Sequence, residues 1–166
     1  MLILICGLPA TGKSTVARKL ARSIGAEVLR TDIVRRELIK SPAYTEEEKG
    51  LIYNAVFLIA DYLIKNDVNV IIDGTFYRDP LRKQAKKIAK RRGKRFFLIE
   101  ARCPEGIVLS RLAKRKKNLR SPSDADLDVY YKIKNLFEPI TEEHIIINTD
   151  WNLKEAIQGV LKKIKA

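Results

Sequence analysis

Residues 2–15 read Leu2-Ile3-Leu4-Ile5-Cys6-Gly7-Leu8-Pro9-Ala10-Thr11-Gly12-Lys13-Ser14-Thr15. A five-residue apolar run of strand type leads into a turn with two glycines, and the turn leads into an amphipathic helix. The spacing G-x-x-x-x-G-K-S has a chemical logic. Gly7 and Gly12 reach backbone angles closed to residues with a side chain, so consecutive N–H groups can converge on one anion. Lys13 adds a mobile positive charge for the outer phosphates, and the Ser14 hydroxyl suits a magnesium ion. A helix starting at Lys13 turns its positive end to the same point. The stretch Gly7, Leu8, Pro9, Ala10, Thr11, Gly12, Lys13, Ser14 and Thr15 is therefore read as a P-loop holding the phosphates of a nucleoside triphosphate, taken as ATP.

The chain around it has 166 residues, 46% hydrophobic and 32% charged. That length and composition predict one folded domain over 1–166 with a full core. A formal net charge of +13 has two readings: attraction to a polyanionic partner, or a surface rich in Lys, Arg and Glu of the kind seen in heat-stable proteins. Cys6 and Cys103 form no C-x-x-C pair, so they read as core residues of a reducing compartment rather than ligands or a disulfide. No basic leader precedes Leu2 and no apolar run approaches membrane length, which predicts a soluble, cytoplasmic protein without a membrane partner.

Strand-type and helix-type segments alternate along the chain, the mark of an α/β fold with a mainly parallel sheet. Strands are expected at 2–6, 27–29, 68–72, 95–100 and 144–147. Helices are expected at 13–24, from Thr31 to about Ile39, from Thr45 (with Glu48 as a capping box), at 79–92, from Pro104, over 127–136 and at 153–164. Lys114 to Asp126 lacks an apolar stripe and reads as an excursion. The helix following Arg78 is basic on more than one face, through Lys83, Lys86, Lys87, Lys90, Arg91 and Arg92.

Motifs that are missing narrow the class. No N-K-x-D stretch reads guanine, and the strand ending Ile71-Ile72-Asp73-Gly74 lacks the glutamate that activates water in motor ATPases. What remains is a small kinase whose attacking group is a hydroxyl. Arg30-Thr31-Asp32-Ile33-Val34-Arg35, Ile71-Ile72-Asp73-Gly74-Thr75-Phe76 and Arg111-Leu112-Ala113-Lys114-Arg115 followed by Pro122, in this order after the P-loop, resemble the polynucleotide 5′-hydroxyl kinase domain and the similar kinase domain of archaeal seryl-tRNA kinase. Two positions depart from the pattern, Lys116 where the group often has Gly and Gly74 where it has Asp. The resemblance implies a three-layer P-loop NTPase fold with about five mainly parallel strands in the order 2-3-1-4-5, flanked by helices, with a short helical lid at about 114–126. It implies an ATP- and magnesium-dependent transfer of the γ-phosphoryl group to a hydroxyl, with the 5′-hydroxyl of a nucleic acid as the named acceptor class. A small-metabolite or nucleoside kinase and an ATP-sensing nucleic-acid-binding module stay open, as does the oligomeric state.

Each candidate residue has a bland reading beside the functional one. Asp32 would orient the acceptor hydroxyl and take its proton, as the resemblance implies, or cap the helix after it. Arg35, one turn on, would bind an anionic acceptor or be solvated charge. Asp73 would join Ser14 on magnesium or make a turn with Gly74. Phe76, Tyr77 and Arg82 would line the acceptor side, or pack beneath the following helix. Arg111 and Arg115, four apart, share a helix face and would bind ATP phosphates and stabilise the migrating group with Lys13, or be loop charge. Thr149, with Asn148 and Asp150, would lie beside the adenine or form an ordinary turn. His144 reads as structural.

Overall fold

The computed structural model describes residues 1–116 and 125–165, apart from the side chains of 115 and 116. In chain order the elements are β1 (Leu2–Cys6), α1 (Lys13–Ile24), β2 (Ala26–Arg30), α2 (Thr31–Leu38), α3 (Glu46–Lys65), β3 (Asn69–Asp73), α4 (Asp79–Arg91), β4 (Phe96–Arg102), α5 (Glu105–Lys116), α6 (Leu127–Leu136), β5 (Ile145–Asn148) and α7 (Leu153–Lys165). All four strand pairings are parallel and the order is β2-β3-β1-β4-β5, the order the sequence resemblance implied. The helical start of the 114–126 excursion continues α5 to Lys116. Residues 117–124, with most of the proposed lid and Pro122, lie outside the described residues.

β1 is apolar throughout because it is the middle strand, covered on both faces. Leu2, Leu4 and Cys6 join Val70, Ile72 and Leu98 against α3 and α4, through Val56, Phe57, Ala60, Ala85 and Ala89. Ile3 and Ile5 turn the other way, with Ile71, Ile99 and Ile147, against Val16 and Leu20 of α1 and Ile157 and Val160 of α7. Three layers result. Cys6 is fully buried, and burial pushes its thiol up to about 12, so it packs as an inert apolar group. Among the described residues no helix is long and apolar enough to cross a membrane.

Parallel strands bring their carboxyl ends to one edge, and there the chemistry-bearing segments meet. Ile5 and Arg30 both lie opposite Asp73 in the sheet register. The Gly7 N–H donates to the Thr75 carbonyl (3.3 Å) and the Gly74 N–H to the Ile5 carbonyl (3.3 Å). At the start of α3 the Glu48 N–H donates to Thr45 Oγ (3.1 Å), as a capping box requires. The Glu48 carboxylate, however, accepts from the Ala43 and Tyr44 N–H groups (2.6 and 3.0 Å), which ties down the loop before the helix rather than the cap residue itself.

Gly74 is a glycine because of what surrounds it. A Cβ there would lie 2.7 Å from Phe76 Cε2 and 2.8 Å from Thr31 Cγ2, so the residue that departs from the kinase pattern lets the start of α2 close onto the end of β3. Gly74→Ala is expected to cost about 1–3 kcal/mol through overpacking, whereas Gly50→Ala, at a helical position with nothing within 4 Å, is expected to gain about 0.5–1 kcal/mol. Thermal melts of the two variants should shift in opposite directions.

Candidate active site

Between the P-loop, the start of α2, the end of β3 and α6 lies a cleft of about 390 Å³, within the size range of small-molecule sites. Pro9, Ala10, Gly12, Lys13, Ser14 and Thr15 form one wall, and Thr31, Asp32, Arg35, Asp73, Gly74, Thr75 and Tyr77 face them. Val129, Lys132 and Ile133 of α6 complete it. Sequence positions as far apart as Pro9 and Ile133 thus share one space.

The P-loop has the geometry its glycines suggested, with one addition. Gly7 and Gly12 sit at φ 140° and 91°, and Ala10, which has a side chain, sits at 61°. Left-handed backbone costs a non-glycine residue roughly 1–2 kcal/mol, and the surroundings hold Ala10 there. Its methyl is buried with Val108, Leu112 and Tyr130, and Arg111 Nη1 donates to its carbonyl (3.2 Å). Lys13 Nζ donates to the Leu8 carbonyl (2.7 Å), as does Thr11 Oγ (2.8 Å), so the loop is cross-braced by its own side chains.

Asp32 is half-buried. Burial is the largest influence on its carboxyl and pushes it above the ordinary aspartate range; Asp73 adds to that, while Lys13, Arg30 and Arg35 pull it down. Asp73 is 4% exposed and lies 3.4 Å from Arg30 Nε. Arg35 is held by Glu48 (2.5 Å) and covers the Tyr44 ring at 4.9 Å. Burial also pushes the Tyr53 hydroxyl upward, so it remains a neutral donor on the cleft wall. Hard oxygen donors suited to magnesium face this space in Ser14 and Asp73. No group of three or more His, Cys, Asp or Glu able to hold a metal occurs among the described residues. That donor set fits magnesium, which keeps several waters and uses one or two protein ligands plus phosphate oxygens.

Other expectations are corrected. Phe76 and Arg82 do not line the acceptor side: both are fully buried. Phe76 packs with Tyr53 (5.1 Å between ring centroids) and Phe57 (6.0 Å), and Arg82 is occupied by backbone carbonyls. Arg111 is not among the described residues that line the cleft, and its role toward ATP stays a proposal. It grips the P-loop from outside, donating to Ala10, to Thr149 Oγ (3.2 Å) and to the Thr149 carbonyl (2.8 Å). Thr149 is 7% exposed, and its hydroxyl donates to the Thr11 carbonyl (2.6 Å), so it braces the loop from beneath. The Arg115 side chain lies outside the described residues.

Several cleft residues were given no role from the sequence: Arg18, Arg30, Arg36, Tyr44, Lys49, Tyr53 and Lys132. Arg30 was the most findable, since it ends a strand at the sheet's carboxyl edge, where ligands bind in open α/β folds. Lys132 arrives only through the path of α6. Counted over the described residues, seven cationic side chains line the cleft (Lys13, Arg18, Arg30, Arg35, Arg36, Lys49 and Lys132) against two carboxylates, Asp32 and Asp73.

Residues 2–140 match the family model described as AAA domain, AAA_33. Among curated relatives, the uncharacterized protein Rv2004c of Mycobacterium tuberculosis (strain ATCC 25618 / H37Rv) is 34% identical over 100 residues, 53% of this chain and 20% of that protein. The L-seryl-tRNA(Sec) kinase of Methanococcus maripaludis is 26% identical over 143 residues, 83% of this chain and 51% of that protein. The probable adenylyl-sulfate kinase of Aeropyrum pernix is 26% identical over 162 residues, 93% of this chain and 86% of that protein. The chain thus spans a fifth of the first relative and about half of the second. The solved Mycobacterium tuberculosis APS kinase CysC, in complex with AMPPNP and APS, shares the fold at a TM-score of 0.74 and 18% identity, covering 99% of this chain and 97% of that one.

The upward push on Asp32 has a sign that can be tested. Just above the ordinary aspartate range the folded chain holds a proton that the unfolded chain has released. Stability from this group therefore falls as pH rises through that window, and stays lower above it. Asp32→Asn removes the burden, so the variant should melt above the parent at neutral pH, with the difference closing as pH drops below the ordinary carboxylate range. Melting curves of both proteins across pH 3–8 check this.

Proposed function

The chain belongs to the AAA domain family, and we propose that it is an ATP- and magnesium-dependent kinase that transfers the γ-phosphoryl group to a hydroxyl on an anionic acceptor. The observation carrying this reading is that Asp32 and Arg35 share one cleft with Lys13 and Ser14, so a base, an anion anchor and a phosphate cradle surround one space.

In the reaction, the acceptor oxygen attacks the γ-phosphorus, the bond to the β–γ bridging oxygen breaks, and ADP leaves. The acceptor's proton passes to the Asp32 carboxylate. Its upward-pushed pKa suits it to that task, because a base is most effective when its pKa approaches the working pH. Lys13 and the P-loop amides hold the triphosphate, and positioning with charge neutralisation does most of the work. Ser14 and Asp73 would hold magnesium, which when bound supplies charge neutralisation at the phosphate oxygens. Arg111 acts through the P-loop by fixing the Ala10 carbonyl, and Arg115 is proposed as a cation for the migrating group.

The charge distribution supports an acceptor bound inside the cleft. The basic face of α4 is largely spent on neighbours: Arg78 on Glu46, Lys83 on Asp79, Lys86 on Glu142, and Arg91 and Arg92 on Asp61. Arg18, Arg36 and Lys132 line the cleft without an ion pair among the described residues. The excess charge is therefore aimed at a ligand of nucleotide size. A nucleic-acid 5′ end and a free phosphorylated nucleoside present this chemistry alike.

Labelled ATP should be offered with 5′-hydroxyl RNA and DNA, nucleoside 3′-monophosphates, nucleosides and neutral alcohols. Label should pass to phosphate-bearing acceptors. Asp32→Asn should cut turnover at least about a hundredfold with MgATP affinity nearly unchanged, and Arg35→Ala should raise acceptor KM. Tight MgATP binding without transfer to any acceptor would instead assign the chain as an ATP sensor. A steep loss of affinity with salt for long oligonucleotides but not for mononucleotides would assign a polymer acceptor.

A further inference from the structure

We infer that Arg82, a buried cation that contacts neither the P-loop nor the cleft, is a positioning residue that sets where α6 stands against the active site. Its side chain is 0% exposed. Nη1 donates to the Phe76 carbonyl (3.0 Å), and Nη2 to the carbonyls of Glu138 (3.1 Å) and Pro139 (3.2 Å). Asp79 Oδ1 lies 3.6 Å away, and the guanidinium carbon lies 5.7 Å from the centre of the Phe137 ring. One planar fork thus joins two segments. The first is the turn after β3 that carries Tyr77 into the cleft; the second is the strand-like connector leaving α6.

Two further bonds cross the same junction, one in each direction. The Glu138 N–H donates to the Tyr77 carbonyl (2.8 Å), and the Asp79 N–H at the start of α4 donates to Glu138 Oε2 (2.5 Å). Lys86 and Glu142 extend the junction by one more ion pair (2.7 Å). At its other side α6 is attached to α5, through buried Tyr130 beside Val108 and Leu112 and through Lys134 to Glu105 (2.7 Å). The Arg82 clamp is therefore what ties α6, with Val129, Lys132 and Ile133, to the acceptor side of the sheet.

The residue type follows from the task. Two guanidinium nitrogens reach carbonyls of separate segments at once, which a lysine ammonium, a compact point charge, does not reproduce. Losing the fork leaves the Phe76, Glu138 and Pro139 carbonyls without their buried donor.

The test is hydrogen exchange, read by mass spectrometry on the full chain, for Arg82→Met and Arg82→Lys. Both should speed exchange over 127–139 by at least about tenfold while peptides of β1 and α1 keep parental rates, because local opening need not involve the whole sheet. The kinetic arm rests on the proposed function. With MgATP and a 5′-hydroxyl oligonucleotide as probe, KM for the oligonucleotide should rise while KM for MgATP stays put, a split that a smaller folded fraction, which lowers kcat alone, does not produce. If the parent fails to transfer phosphate to this probe, a polymer acceptor is wrong, and the exchange data still decide the clamp. Parental exchange over 127–139, or acceleration shared equally with β1 and α1, overturns it. Should neither Arg82 variant fold, Glu138→Ala, which removes the reciprocal acceptor from an exposed side chain, is held to the same two criteria.

Discussion

The left-handed backbone at Ala10 is the constraint on which this structure turns. A phosphate cradle needs amides that converge, and convergence puts a residue with a side chain at φ 61°. Contacts from three other elements surround the loop that holds this conformation. β4 crowds Gly7 so closely that a Cβ there would lie 2.5 Å from the Ala101 carbonyl. Thr149 at the end of β5 reaches under the loop to Thr11, and Arg111 of α5 holds the Ala10 carbonyl from outside. Strain of this kind survives only where several independent contacts fix it, and here they come from β4, β5 and α5.

The electrostatics divide along the same line. On α4, cations meet acids on neighbouring elements, and such exposed pairs contribute little stability each but cancel the field around that helix. In the cleft cations outnumber acids: seven line it against two carboxylates, Arg18, Arg36 and Lys132 have no ion pair among the described residues, and one carboxylate, Asp32, is pushed toward its neutral form by burial. Such an arrangement is unfavourable in the empty protein and favourable once polyanions fill it. The resulting stability that depends on ligand is the linkage expected of any group that binds the folded state alone.

Much of this was legible in the sequence, for local reasons. The P-loop is one continuous stretch, β1 is apolar because both faces are covered, and the cap of α3 is written at Thr45 and Glu48. The strand order followed from resemblance rather than from any pattern in the residues, and the sheet agrees with it. What could not be read locally is which side a chain presents. Arg82 sits among lysines on a basic helix and yet faces inward, because segment 137–139 passes over it with carbonyls to satisfy. Phe76 follows a strand end as an acceptor-stacking aromatic would, but it completes a three-ring cluster with Tyr53 and Phe57. Lys132 looks like ordinary surface charge until the course of α6 delivers it to the cleft.

Arginine in this chain accordingly has three distinct uses, separated by what it bonds. Arg111 and Arg82 donate mainly to backbone carbonyl oxygens, neutral acceptors, although Arg82 also lies 3.6 Å from Asp79. Arg30 and Arg35 lie against carboxylates, partners of the same sign as a phosphate, and a bound anion can compete for their donors. Arg18 and Arg36 line the cleft without an ion pair among the described residues and meet a ligand first. Membership in a quoted motif does not separate these cases, since Arg30, Arg35 and Arg111 all fall within one. The identity of the acceptor oxygen does. On that criterion Arg30, Arg35 and Arg36 put most of the cleft's anion-responsive arginine charge on the β2–α2 side, beside Asp32, the residue proposed as base.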